Sequence, residues 1–409
     1  MEYLYGEFVK KLSKMLYIGG GREVIETLSK AKKYSLDVIY IQKEELFKNE
    51  VTSYVSEVHF VDYENDSDLF EVADHIYRES KFNFCLSMSE DALLPAAKIT
   101  ERFGLMGNSV SCVEGLKNKE LMRRKLEGSQ LSPVRFRSGK KLDDILSFLS
   151  ENNAPIIVKP INGSGSQCIF KIESKEQAER AYQALIVENI SNFLLEEFLD
   201  GEEYSVESFS YSGKHVILTV TEKFLGQNFV EMGHLVPARI DAITRRNIEA
   251  NVCDFLTTMN LQHGPAHTEL KLTNKGVRII ESHNRPGGDR INELVNLSYG
   301  FDMKELNFGW HSNSISPQLA SPQPVGSAAI LFLSAPEGVV KNVVIPDHIL
   351  NHKDVVELKV GVKSNQKIFT PRESYDRIGH IIVKGSDPTA TLKLCEQTRD
   401  QINFQMDNS

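Results

Sequence analysis

Two runs carrying charge at alternate positions, separated by one turn, restrict this chain more than any other feature. His267-Thr268-Glu269-Leu270-Lys271 precedes Thr273-Asn274-Lys275-Gly276, and Val277 to Arg285 follows it. Such a pattern makes a hairpin, and centring its turn on Lys275 sets Glu269 opposite Glu281 and His267 opposite His283. Strand side chains alternate faces, so Glu281, His283 and Arg285 project to the side of His267, Glu269 and Lys271. Opposed like charges destabilise a bare sheet, so this pair calls for a cation. Two carboxylates without a cysteine suit Mg2+ bridging nucleotide phosphates. The solvated face of a surface hairpin would also carry such charges. Pro286-Gly287-Gly288-Asp289, directly after Arg285, favours a site, because consecutive glycines let backbone amides approach an anion.

The 409 residues are enough for two or three domains at about 150 residues each. With 41% hydrophobic and 25% charged residues, collagen, coiled-coil and disordered classes are excluded. A net charge of −9 gives no attraction to nucleic acid or anionic membranes, so neither is expected as a partner. The longest apolar run, Ala328 to Leu333, is too short to span a bilayer, and Met1 to Lys14 lacks the apolar core of a secretory signal. The cysteines number five and the nearest pair, Cys85 and Cys112, is 27 apart, which writes neither a metal knuckle nor a disulfide framework. A cytoplasmic location is the expectation.

Along the first hundred residues, strand-like Met15–Ile18, helical Glu23–Tyr34 and strand-like Asp37–Ile41 begin a βαβ pattern. Helical Asp68–Glu79, extended Phe82–Leu86 and helical Glu90–Phe103 continue it, implying a parallel sheet with helices on its faces. A charged helix, Leu116–Gly128, carries Lys119. Ala154–Lys159 and Ile169–Ile172 read as strands, and Ser174 with Gln177 signs the start of a helix to Val187. Phe193–Leu199 and Tyr204–Tyr211 read as paired strands around Asp200-Gly201. Asn247–Met259 reads as a helix, and the tail from Val325 as short strands before an Asp387-capped helix.

Two further constellations stand out. Pro155-Ile156-Ile157-Val158-Lys159-Pro160 places a lysine at the end of a buried strand, beside Asn162-Gly163-Ser164-Gly165-Ser166, whose amides can hold phosphate. An ordinary turn is the plainer account of that loop taken by itself. It is not a Walker A loop, and Gly19-Gly20-Gly21 does not make the dinucleotide fingerprint. Leu194-Leu195-Glu196-Glu197-Phe198-Leu199 orders apolar and polar groups as a purine pocket requires.

In chain order these pieces resemble the ATP-grasp superfamily of carboxylate-amine ligases, from about Cys85 to Gly300. Ser89-Glu90-Asp91 with Leu93-Leu94-Pro95, Asn118 to Arg123, Val158-Lys159-Pro160, Gly233-His234-Leu235-Val236-Pro237, Gly264 to Glu269 and Glu281 to Asp289 are similar to L-amino acid ligases that make dipeptides, the bacilysin-type enzyme included. The resemblance implies an α/β and α+β multidomain chain: an ATP-grasp fold with an amino-terminal Rossmann-like (pre-ATP-grasp) domain. The expected division is 1–115 for that domain, 116–200 for the small lid subdomain with its entry helix, and 201–409 for the large subdomain with a C-terminal α/β extension.

The resemblance also implies roles. Lys119, Lys159, Ser164, Ser166, Glu196, Glu197, Leu199 and Glu203 would bind ATP; Glu269, Glu281 and His283 would hold Mg2+, two ions, with Mn2+ able to substitute. Arg285, Lys159 and His234 would be catalytic, and Glu90, His234, Arg285, Gly287, Gly288 and Asp289 would meet the amino acids. His283 departs from the family's usual Asn, and imidazole is a poorer Mg2+ partner than an amide oxygen. Glu90 and Asp91 equally suit the start of a helix. The implied activity joins two L-amino acids through an aminoacyl phosphate, releasing ADP and phosphate, with a homodimer allowed. Ligation to a carrier protein or another metabolite in antibiotic biosynthesis and a silent ATP-binding regulator are the alternatives.

Overall fold

The computed structural model describes residues 13–127, 129, 131–163, 165 and 167–407. Ser164, Ser166 and most of the 1–14 stretch read for a secretory signal lie outside the described residues. The chain forms two compact units. One runs to Val113 and takes in Gln262–Gly264 and Met303–Pro317; the other comprises Glu114–Leu261, Pro265–Asp302 and the chain from Gln318.

In the first unit four parallel strands lie in the order Glu57–Phe60, Leu36–Gln42, Ser13–Ile18, Phe84–Leu86. The two central strands are buried on both faces, which is why Met15–Ile18 and Val38–Ile41 read as unbroken apolar runs. Leu16, Ile18, Ile39 and Ile41 pack with the helix Asp66–Glu79, while Met15, Tyr17, Val38 and Tyr40 pack with Leu28 of Val24–Ala31. Lys304 pairs with Glu23 and Glu26 at 2.6 and 2.7 Å, tying the late helix Met303–His311 to this unit.

Among the described residues the second unit holds three sheets. Phe136–Gly139, Phe193–Glu197, Ile156–Pro160 and Phe170–Ile172 make an antiparallel four-stranded sheet. Ile145, Phe148, Ala178, Ala181 and Leu185 from the helices Leu142–Asn152 and Lys175–Val187 pack against it. An eight-stranded sheet runs Gly276–His283, His263–Thr273, Gly201–Tyr211, Lys214–Leu225, Glu231–Val236, Ser327–Phe332, Gly379–Gly385, Val355–Val360. Gln366–Ile368, Gly338–Val344 and Asn403–Met406 form the third. No helix among the described residues is long and apolar enough to cross a membrane.

Three local expectations are corrected. Phe193–Glu197 and Gly201–Tyr211 are not paired; they belong to different sheets, and the chain crosses between them at 198–200. Gly201 (φ +157°) is required by proximity, since a Cβ there would stand 2.2 Å from the Leu272 carbonyl oxygen. The single helix expected over Leu116–Gly128 is two, Val110–Lys117 and Lys119–Glu127. Asn118 makes the break: its side chain accepts from the Leu121 amide at 3.0 Å, capping the second helix so that Lys119 opens it. Finally, the hairpin turn is the two-residue Asn274-Lys275, with Thr273 paired to Gly276. That count alone would set Glu269 against Ile280. A β-bulge after Glu269 absorbs the extra residue, and Glu269 faces Glu281, with His267 facing His283.

Candidate active site

The bulged hairpin sets the two carboxylates, and other elements of the second unit bring cations to them. Lys119, buried as the first residue of its helix, places Nζ 2.7 Å from Glu281 Oε2 and donates to the Gly163 carbonyl at 2.8 Å. Lys223, from Lys214–Leu225, lies 2.9 Å from Glu269 Oε1, 2.9 Å from Glu203 Oε1 and 3.2 Å from Glu231 Oε1. Burial would raise the Glu269 carboxyl, but the Lys223 ammonium and the His267 hydrogen bond hold it at about 2. Against the same desolvation, Lys119 and His283 hold the Glu281 carboxyl well below the usual carboxylate range. Desolvation alone would lower Lys223, yet its three carboxylates push it well above the ordinary lysine value.

His267 braces Glu269 from behind. Its Nδ1 is 2.6 Å from Glu207 Oε1 and its Nε2 3.2 Å from Glu269 Oε1. Glu207, fully buried, also accepts from the Ser205 hydroxyl at 3.1 Å and the Gly287 amide at 3.3 Å. Burial disfavours the imidazolium, but Glu207 pulls its pKa up to about 9.

A second cluster lies on the two central strands of the antiparallel four-stranded sheet. Glu196 accepts from Arg123 Nε at 2.5 Å and stands 2.7 Å from Lys159 Nζ, all three side chains buried. Against desolvation, Arg123 and Lys159 hold the Glu196 carboxyl at about 2, whereas burial pushes Lys159 below the usual lysine range. The two terminal nitrogens of Arg123 are buried and have no hydrogen-bond partner among the described residues.

A third cluster faces the Gly287-Gly288 loop. His234 Nε2 is 3.3 Å from Asp289 Oδ2, and Asp289 is gripped by Arg377. Against burial, those two partners hold the Asp289 carboxyl well below its usual range.

Of the residues singled out in the sequence, Lys119, Lys159, Glu196, Glu203, Glu269, Glu281, His283, His234 and Asp289 thus fall into three linked clusters of one unit. His283 Nε2 is engaged 3.2 Å from Glu281 Oε1. Among the described residues no group of three or more His, Cys, Asp and Glu stands in metal-holding geometry, so Glu269, Glu281 and His283 are not gathered as one ligand set. The opposed, ionised carboxylates nevertheless fit a hard cation that prefers oxygen. Arg285 donates to the Pro286 carbonyl at 3.0 Å, Glu197 accepts the Arg135 amide at 2.9 Å, and Leu199 is half-buried. Glu90 belongs to the other unit and is half-buried; its neighbour Asp91 accepts from the Ser89 and Tyr63 hydroxyls.

Sequence reasoning named neither Arg123, Lys223, Glu207, Glu231 nor Arg377 as functional. One carried a signal: Arg123 is four residues after Lys119 on one helical face. Arg377 carried none.

Residues 152–293 match the family model of the ATP-grasp domain, and residues 331–407 that of L-amino acid ligase C-terminal domain 2. Alanine–anticapsin ligase of Bacillus subtilis is 24% identical over 353 residues, covering 76% of this chain and 74% of that protein. The Bacillus amyloliquefaciens protein of that name is 23% identical over 420 residues, covering 90% and 88%. The crystal structure of an L-amino acid ligase from Bacillus licheniformis superposes with a TM-score of 0.81 at 21% identity, covering 97% of this chain and 100% of that one, a likeness of fold.

Proposed function

This chain has the ATP-grasp fold and carries an L-amino acid ligase C-terminal domain, and from that premise we propose that it joins two L-amino acids by an amide bond at the expense of ATP. The observation that carries the proposal is the Glu269–Glu281 pair, half-buried, held ionised and flanked by lysines.

A carboxylate does not react with an amine at neutral pH, because oxide would have to leave. Transfer of the γ-phosphoryl group to a carboxylate oxygen of one amino acid breaks the bond to ADP and supplies a leaving group. The amine nitrogen of the second amino acid then attacks the acyl carbon, its carbon–oxygen bond to phosphate breaks, and the nitrogen gives up a proton. In this scheme Lys119 and Lys159 bind phosphate oxygens, for which their carboxylate partners hold them in place while the site is free of nucleotide. Glu269 and Glu281 would hold the divalent ions, two Mg2+, which neutralise charge on the transferred phosphoryl group when bound. Glu196, with Arg123 behind it, lies on the adenine side. Arg285 offsets charge on the reacting centre, and His234 with Asp289 lines the amino acid side.

Substitution of Mn2+, assembly as a homodimer and the division at 115 and 200 belong to the same proposal and rest on sequence resemblance, and a cytoplasmic setting belongs to it on the cysteine pattern. Incubation with ATP, Mg2+ and pairs of amino acids tests it: ADP, phosphate and a product of dipeptide mass should appear together. ADP release only with a protein partner would replace it with carrier loading.

A further inference from the structure

The turn Ser374–Asp376 and the residue after it lie in the C-terminal domain, beyond residues 152–293, yet two side chains from this stretch enter the site. The Ser374 hydroxyl donates to Glu231 Oε2 at 2.9 Å. The other oxygen of Glu231 is 3.2 Å from Lys223, whose ammonium is 2.9 Å from Glu269. Ser374 therefore fixes the carboxylate that helps to aim the cation beside Glu269.

Arg377 makes the second connection. Its Nη1 donates to Asp289 Oδ2 at 2.7 Å and to the Glu231 carbonyl at 2.9 Å, Nη2 to Asp289 Oδ1 at 2.5 Å, and Nε to the Ser374 carbonyl at 2.6 Å. Its guanidinium lies 3.5 Å from the ring centroid of Phe332, against whose ring His234 packs edge-on. Asp289 has φ +52°, a left-handed conformation that aspartate tolerates but does not prefer. Arg377 is thus the fork that holds the Gly287–Asp289 loop against His234.

We propose that Arg377 is a positioning residue of the ligation, fixing Asp289 and through it His234, and that the C-terminal domain thereby completes the amino acid side of the site. The inference rests on the proposed function above and deepens it. A planar fork is essential: lysine keeps the charge but cannot bond both Asp289 oxygens, the Glu231 carbonyl and the Phe332 face together.

The test uses Arg377→Lys in the full chain, with wild type alongside, normalised to the folded fraction that binds ATP. Because positioning errors near 1 Å cost about 100-fold, kcat with the amino acid pair should fall by about 10- to 100-fold. The KM for ATP should stay within about twofold, since the fork's hydrogen bonds go to Ser374, Glu231 and Asp289 and to neither Lys119 nor Lys159. Asp289→Asn should do the same, and the double variant should lose no more than the worse single one. Unchanged kcat and amino acid KM in Arg377→Lys, or losses that multiply in the double variant, would overturn the inference and leave the ligase proposal standing. A wild type that forms no ADP with any amino acid pair would overturn both.

Discussion

Glu269 and Glu281 face each other across the hairpin because one bulged residue makes up the difference left by a two-residue turn. Each then meets a different lysine, Lys223 for Glu269 and Lys119 for Glu281, at 2.9 and 2.7 Å. Like charges directly opposed in a sheet are destabilising, and these cations let both carboxylates stay ionised although each is only partly open to water. Incoming divalent ions and phosphates can exchange partners with the same groups, carboxylate to metal and ammonium to phosphate.

Lys159→Ala tests the phosphate role. A hydrogen bond to a charged group contributes about 1.5–3 kcal/mol, so the KM for ATP should rise by about 10- to 100-fold. Titrating ATP against initial rate measures it, and an unchanged nucleotide dependence would remove Lys159 from the site.

Glu196 predicts an acid limb in stability. Its carboxyl, at about 2 when folded, lies below the unfolded value near 4.5, so its contribution is present above about pH 4.5 and is lost as pH falls through 2. Thermal unfolding of the ligand-free protein should therefore shift down between these values. Glu196→Gln should be less stable at pH 7 and show a shallower acid limb. Parallel limbs in the two proteins would mean that Glu196 is not held ionised by Arg123 and Lys159.

Gly287 is required by proximity. A Cβ there would stand 2.8 Å from His267 Nδ1 and 3.2 Å from Glu207 Oε2, so Gly287→Ala must displace the imidazole that braces Glu269. We expect a fall in kcat of about 10- to 100-fold with the protein still folded. Wild-type turnover would show that this bracing is dispensable.

Much of this was legible in the sequence, for a local reason. Period-two alternation and one turn fixed which residues of the hairpin oppose, although the turn length was off by one and a bulge restored the register. Parallel strands buried on both faces announced themselves as apolar runs at Met15–Ile18 and Val38–Ile41. The partition of Phe193–Glu197 and Gly201–Tyr211 into separate sheets was not legible, because nothing in three linking residues distinguishes a crossing from a hairpin. Lys159 was visible as a lysine at a strand end and Lys119 as one charge within an expected helix, but their partners lie 37 and 162 positions away, at Glu196 and Glu281. Arg377 is one arginine among polar neighbours, and its role exists only through a contact 88 positions distant.

If the opposed carboxylates bring a nucleotide's terminal phosphate to an amino acid's carboxylate, Glu281→Gln removes that step. ADP and ligated product should be quantified together for wild type and variant, with Mg2+, ATP and amino acid pairs. Wild type should give equimolar ADP and dipeptide, and Glu281→Gln neither above background, although the variant stays folded. Normal turnover by Glu281→Gln, or ADP from wild type without a ligated product, would contradict that role of the two carboxylates.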